Sequence, residues 1–161
     1  MSRGALVAGA LLVALALPAT AVAAEAAKSA VAAKATVAAT VADAECELKG
    51  QSVRLTSPRV DVVFRPQPAP VRIGQHFALD ILVCPRSGVT SPASLKVDAS
   101  MPEHRHGMNY QPSVQQLPSS SRVARYRAEG LMFHMAGRWE LVIEVRAGGY
   151  GDRLTHSIRI E

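Results

Sequence analysis

Apolar residues recur at every second position over much of the chain, and this alternation is the feature that most restricts its fold. The clearest example is 138–146, where Trp139, Leu141, Ile143 and Val145 alternate with mostly charged residues. A period of two is typical of a half-buried β-strand, whereas the apolar face of a helix repeats every three or four residues. The segment therefore predicts a strand with one face in a core.

Six other segments show the same pattern, some of them more weakly. With the first, the predicted strands lie near 60–65, 77–83, 95–101, 110–117, 123–133, 139–145 and 154–160. Proline-rich 66–70 ends the first strand, a phase change near Gly130 predicts a bulge, and Gly148-Gly149 predicts a hairpin turn. Seven short strands, with no segment typical of a core helix, favour an all-β, immunoglobulin-like antiparallel sandwich. A small β-barrel is the alternative.

The N-terminal part has a different composition. A basic start, an apolar run from Ala5 to Leu17 and small residues at 21–23 are typical of a secretory signal peptide. Residues 24–44 are nearly all Ala, Val, Thr and Lys, which predicts a flexible Ala-rich spacer before a domain at 45–161. We therefore expect an exported, periplasmic protein with no stable membrane insertion after cleavage. An uncleaved N-terminal anchor is the alternative.

Two cysteines, Cys46 and Cys84, are present. In an exported chain they favour one disulfide, which would tie the start of the domain to the strand that ends at Cys84. A redox or thiolate-metal pair is the alternative, but the Cys-x-x-Cys spacing is missing. The net charge of +5 comes from scattered arginines, most of which alternate with apolar residues. This distribution predicts solvent-facing strand positions and no nucleic-acid surface.

Histidine and methionine are concentrated in two short segments, 101–108 and 134–135. Thioether and imidazole groups together suit copper, and thioethers favour Cu(I) in an oxidising compartment. The candidate metal ligands are Met101, His104, His106, Met108, His134 and Met135. For Met101 the alternative is a core position, because it continues the inward phase of its strand. Met135 has a similar alternative, as an apolar cap at a turn.

Strand polarity predicts that the two segments meet. In a sandwich of mostly up-and-down connections, the third and fifth strands end at the same pole, and the second strand begins there with His76. His104 and His106 would point the same way only in an extended segment. His156 lies mid-strand on the apolar side and is predicted to be a hydrogen-bonded core histidine.

The pattern Met101-Pro102-x-His104-x-His106-Gly107-Met108, followed by Phe133-x-Met135-x-Gly137-x-Trp139, resembles the YtkA-like and FixH-like small exported β-sandwich domains. The resemblance covers about 60–161. It implies an immunoglobulin-like fold and an association with copper handling and oxidase assembly. The ligand types are also similar to those of periplasmic copper chaperones, without a match in spacing.

The sequence thus predicts a copper-binding protein that holds Cu(I) at one pole, either to sequester it or to deliver it to an envelope protein. A metal-free structural or protein-interaction module of the cell envelope is the alternative. An enzyme is not predicted, because no set of nucleophile, base and orienting group is apparent. A hydrolytic metal site with Glu103 beside His104 would need firmer nitrogen and oxygen ligands.

Overall fold

The computed structural model describes residues 45–119 and 122–161. Its strands are β1 (Val53–Thr56), β2 (Val60–Gln67), β3 (His76–Pro85), β4 (Ser94–Met101), β5 (His106–Gly107), β6 (Ser113–Leu117), β7 (Ala124–Met132), β8 (Gly137–Ala147) and β9 (Tyr150–Ile160). A single 3₁₀ turn, Pro102–His104, lies between β4 and β5. The predicted signal peptide and the predicted Ala-rich spacer fall outside the described residues.

The strands form two antiparallel sheets. One has the order β1-β2-β3-β7-β6 and the other β5-β4-β8-β9. Apart from the short edge strands β1 and β5, this is the immunoglobulin arrangement, with β2-β3-β7-β6 as one sheet and β4-β8-β9 as the other. The predicted all-β sandwich is therefore confirmed, and the barrel alternative is wrong because the sheets remain separate.

All seven predicted strands are present, and the two additional ones have simple explanations. β1 is only four residues long and pairs with β2 alone. β5 is a two-residue strand inside the loop that carries the histidines. Neither is long enough to show a reliable alternation, so a period-two pattern cannot identify them.

Two local predictions are also confirmed. The register between β3 and β7 shifts between Phe77 and Leu79, opposite Gly130, which has a φ of 84°. Glycine adopts this left-handed conformation without a steric penalty, as such bulges require. Gly148 and Gly149 connect β8 to β9, whose pairing begins with Ala147 opposite Tyr150.

The core lies between the sheets, where the alternating side chains of both meet. Trp139, Phe64, Phe133 and Met101 are among its largest fully buried side chains. Burial of such side chains stabilises the fold by about 1.5–3 kcal/mol each before cavity and strain effects. The side chains that were predicted to face inward are thus the ones that are buried between the sheets.

The Cys46–Cys84 disulfide is present, with the two Cα atoms 6.0 Å apart. Cys46 is buried in a small second cluster with Val63, Leu82 and Val123 on the outer face of the five-stranded sheet. The disulfide thus fixes the segment before β1 on the sheet, as predicted. No helix within the described part of the chain is long and apolar enough to cross a membrane.

The two ends of the sandwich are named here by their residues. The His pole comprises 72–76, 102–112 and 133–136, with the adjoining strand ends. The Asp152 pole comprises 57–59, 86–93 and 148–152 at the opposite ends of the same strands. Every candidate metal ligand from the sequence lies at the His pole.

Candidate functional site

The loop after β4 folds back on its own strand. Pro102 to His104 form a 3₁₀ turn, and Arg105 ends it in the left-handed region with φ 50° and ψ 39°. β5 then runs antiparallel to the end of β4, so that His106 lies directly opposite Met101. The backbone N–H of Met108 extends the pairing by donating to the carbonyl of Ala99 at 3.1 Å.

This fold-back turns His106 and Met108 towards the interior. Both side chains are half-buried, and Gly107 between them is exposed. Because cross-strand partners share a face of the sheet, His106 faces the same side as the fully buried Met101. Met108 packs against the main core. The segment 106–108 thus brings the imidazole of His106 and the thioether of Met108 to the edge of the core.

The second histidine comes from the turn between β7 and β8. The Nε2 atoms of His106 and His134 lie 2.5 Å apart. Their ring centroids are 4.6 Å apart, with 74° between the ring planes. Two imidazoles from separate turns therefore direct the same nitrogen at one point, as the strand-polarity argument requires.

His134 is held by the core beneath it. Its ring meets the ring of the fully buried Trp139 edge to face, with centroids 5.4 Å apart. The indole N–H of Trp139 donates to the carbonyl of Met135 at 3.1 Å, which closes the turn. The Nδ1 atom of His134 is buried without a hydrogen-bond partner in the described structure. Such an atom is rare in a folded protein and calls for a functional or solvent explanation.

The remaining candidate ligands differ in position. Met101 is fully buried, as its core alternative requires, and Met135 is 41% exposed. His104 is exposed, because the 3₁₀ turn and the left-handed Arg105 interrupt the extended segment that would have aligned it with His106. The structure therefore brings together His106 and His134, places Met101 and Met108 beside His106, and leaves His104 and Met135 on the surface.

No group of three or more His, Cys, Asp or Glu within 45–119 and 122–161 is arranged to hold a metal ion. Glu103 instead forms an ion pair with Arg138, with Oε1 3.2 Å from Nε. This pair links the 3₁₀ turn to β8. The His pole therefore holds one pair of imidazoles in contact, with Met101 opposite His106 in the strand pairing and Met108 packed against the core.

Besides His104, two further histidines, His76 and His156, lie outside the His106–His134 pair. His76 is exposed, and its ring centroid is 5.9 Å from that of Tyr110. His156 is half-buried and meets Phe64 edge to face, with centroids 5.5 Å apart. Burial lowers the pKa of His156. His156 thus lies half-buried against Phe64 at the edge of the core.

Two residues important to the geometry were not identified as site residues from the sequence. One is Trp139, which contacts His134. The other is Gly137, whose φ of 132° is unfavourable for other residues and whose added Cβ would lie 2.5 Å from the Cε of Met101. A glycine two residues before the single tryptophan, and two residues after Met135, was the available signal.

Fold and site together define a small all-β sandwich domain with a histidine pair at one pole. No protein-family model matches the chain, and no curated protein matches it. Among solved structures, the chain is similar to a DUF4426 family protein from Pseudomonas aeruginosa PAO1, with 11% identity and a TM-score of 0.46 over 68% of this chain and 94% of that one. The likeness is too distant to bear on function, and the YtkA-like and FixH-like resemblance remains a prediction.

Proposed function

We propose that this protein binds copper and that it holds Cu(I) between His106 and His134. The observation that carries the proposal is the convergence of their Nε2 atoms, 2.5 Å apart, from two separate turns. At this separation the two nitrogens share one proton in a hydrogen bond. A Cu(I) ion held by both would replace that proton, and the nitrogens would have to move to about 3.3–4 Å apart, because metal–nitrogen bonds are about 2.0 Å long.

The chemistry of the donor set favours copper. Imidazole binds several transition metals, but thioether is a soft ligand that selects Cu(I). Met101 lies opposite His106 in the strand pairing, Met108 follows His106 by two residues, and no carboxylate joins the two imidazoles within the described residues. Zinc and the hard cations would more often use carboxylate or a third nitrogen ligand.

The disulfide supports an oxidising location, because structural disulfides persist in exported proteins and are rare in the cytosol. A thioether and imidazole site suits such a compartment, since it does not depend on free thiols. We therefore extend the proposal to a periplasmic or otherwise exported protein of the YtkA-like and FixH-like kind. Its role would be binding rather than catalysis.

The exposed candidate ligands would allow Cu(I) to be transferred to a partner protein. Met135 and His104 lie on the surface at the same pole as the half-buried His106 and His134. An acceptor protein of the cell envelope would meet these side chains first and withdraw Cu(I) by ligand exchange. The copper ion is thus the cargo, and the envelope acceptor is the proposed partner.

The test is a competition titration of the purified protein against a chromophoric Cu(I) chelator. We expect the wild type to withdraw about one equivalent and the double variant His106→Ala/His134→Ala to withdraw none. His76→Ala is the matched control, since it removes an exposed histidine from the same pole. Failure of the wild type to withdraw copper would refute the proposal, as would full withdrawal by the double variant.

A metal-free interaction module is the second candidate, and one observation favours it. Ile73, Tyr110 and Met135 are the exposed large hydrophobic side chains of the described structure, and all three belong to the His pole. Exposed apolar patches often mark protein-binding surfaces. A partner from an envelope extract that stays bound in the presence of chelator, and is lost in Tyr110→Ser, would favour this function.

A further inference from the structure

From these contacts we infer that Trp139 is a positioning residue of the copper site, which acts by fixing His134. The inference rests on the proposed function. It assigns a role to a side chain that has no metal-binding atom of its own. Three contacts carry it, and each one constrains a different part of the turn between β7 and β8.

The first two contacts hold the backbone and the start of the turn. The indole N–H donates to the carbonyl of Met135, 3.1 Å away. The indole ring also packs against Phe133, with centroids 4.8 Å apart and 31° between the planes. The residues on both sides of His134 are therefore attached to the same fully buried side chain.

The third contact holds the imidazole itself. The rings of His134 and Trp139 meet at 79°, so the edge of one faces the plane of the other. With Nδ1 of His134 buried and unpaired, no hydrogen bond to a described residue orients that side of the ring. In many metal sites a hydrogen bond to the second ring nitrogen sets the orientation of a histidine ligand. Here the packing of Trp139 supplies that constraint.

The two histidines are therefore held unequally. His106 lies on a two-residue edge strand that pairs with β4 alone. His134 is anchored through Trp139 to β8, which is paired on both sides. Trp139 thus makes His134 the fixed ligand of the proposed site. The second ligand, His106, lies on the short edge strand β5.

The experiment combines Cu(I) affinity with fluorescence. In Trp139→Phe the aromatic packing is largely kept and the indole N–H is lost, and we expect Cu(I) to bind about tenfold more weakly, as for other supporting residues of metal sites. Ile143→Val, a change in a fully buried residue of the same strand, is the matched control for a loss of core packing. We expect its affinity to stay within about twofold of the wild type.

Trp139 is the single tryptophan of the chain, so wild-type emission reports on this ring alone. We expect emission to change in proportion to Cu(I) up to one equivalent, and the change to vanish in His106→Ala/His134→Ala. Because it uses the wild type, the emission measurement still tests the inference if Trp139→Phe does not fold.

Three outcomes would overturn the inference. Trp139→Phe could bind Cu(I) as tightly as the wild type, or Ile143→Val could weaken binding as much as Trp139→Phe does. The Trp139 emission of the wild type could also stay constant as Cu(I) binds. In each of these the wild type still binds copper, so the proposed function survives. A wild type that binds no Cu(I) would overturn both.

Discussion

At the Asp152 pole a buried carboxylate is fully engaged, whereas at the His pole a buried ring nitrogen has no partner in the described structure. Asp152 accepts hydrogen bonds from the hydroxyl of Ser57 at 2.8 Å and from Nε of Arg59 at 3.0 Å. His134 leaves Nδ1 unpaired and directs Nε2 at a second imidazole. Both groups are polar; His134 lies in the turn between β7 and β8, and Asp152 lies near the start of β9.

The surroundings of the two groups also differ: the side chains near Asp152 contact one another, whereas the His pole exposes large apolar side chains. The guanidinium of Arg59 lies over the ring of Tyr150, 5.2 Å from its centroid, and the Tyr150 hydroxyl donates to the carbonyl of Thr90 at 2.9 Å. The His pole instead exposes Ile73, Tyr110 and Met135.

Polar groups buried in a protein are normally satisfied, and local exceptions tend to mark functional sites. On the proposed function, the Asp152 pole stabilises the fold and the His pole binds the metal.

The largest expected effect comes from the disulfide, which joins the edge of the Asp152 pole to the segment before β1. Replacing both Cys46 and Cys84 with Ser should lower the free energy of unfolding by roughly 4 kcal/mol, because the loop of about 39 residues is no longer closed in the unfolded chain. Urea denaturation measures the change. Cys84 lies at the opposite end of β3 from His76, so Cu(I) affinity should not change.

Loss of Cu(I) affinity together with stability would contradict this separation of the poles. The measurement must therefore be made where the variant is still folded. The wild type treated with a reductant at the same urea concentration is the control for the substitutions themselves.

A smaller effect is expected from a glycine at each pole. Gly137→Ala should cost about 2 kcal/mol, because alanine is strained at a φ of 132° and its Cβ would collide with Cε of Met101. Gly149→Ala is the matched control, since Gly149 also has a positive φ, of 90°, but nothing within 4 Å of the added Cβ. Thermal unfolding compares their stabilities.

Copper binding then separates the two variants. Met101 lies opposite His106, so its displacement in Gly137→Ala should weaken Cu(I) binding. Gly149→Ala strains the β8–β9 hairpin at the other pole and should leave the affinity as it is. Equal affinities for both variants would exclude Met101 from the site.

The alternation of side chains was sufficient to predict the sandwich, because burial of one strand face leaves a direct trace in the sequence. Trp139, Leu141, Ile143 and Val145 are all buried as their spacing requires. The pole at which His106 and His134 meet also followed from strand polarity alone. These are properties of long, regular elements, for which sequence patterns are most informative.

The details of the site could not be predicted in the same way. Whether His104 joins His106 depends on the backbone of three residues, and the left-handed Arg105 turns it away. Arginine rarely adopts this conformation, so the residue type at position 105 did not indicate it. The contact of Trp139 with His134 depends on side-chain packing across a turn, and a pattern of apolar positions carries no information on ring orientation.

The smallest expected effect concerns the pH dependence of the Asp152 pole. The hydrogen bond from Arg59, with a further one from Ser57, lowers the pKa of the Asp152 carboxyl. The unfolded chain therefore takes up a proton more readily than the folded protein. This contribution to stability is present above the ordinary aspartate pKa of about 3.9 and is lost as the pH falls through the lowered value.

Asp152→Asn should therefore be less stable than the wild type at pH 7, by roughly 1–2 kcal/mol, and the difference should shrink towards pH 2. Thermal unfolding between these pH values measures it, with the exposed Asp98→Asn as the control. A constant difference across the range would mean that Asp152 stabilises by packing rather than by charge. If Cu(I) affinity fell in Asp152→Asn at pH 7, the two poles would be coupled through β8 and β9, and the division between a stabilising pole and a binding pole would fail.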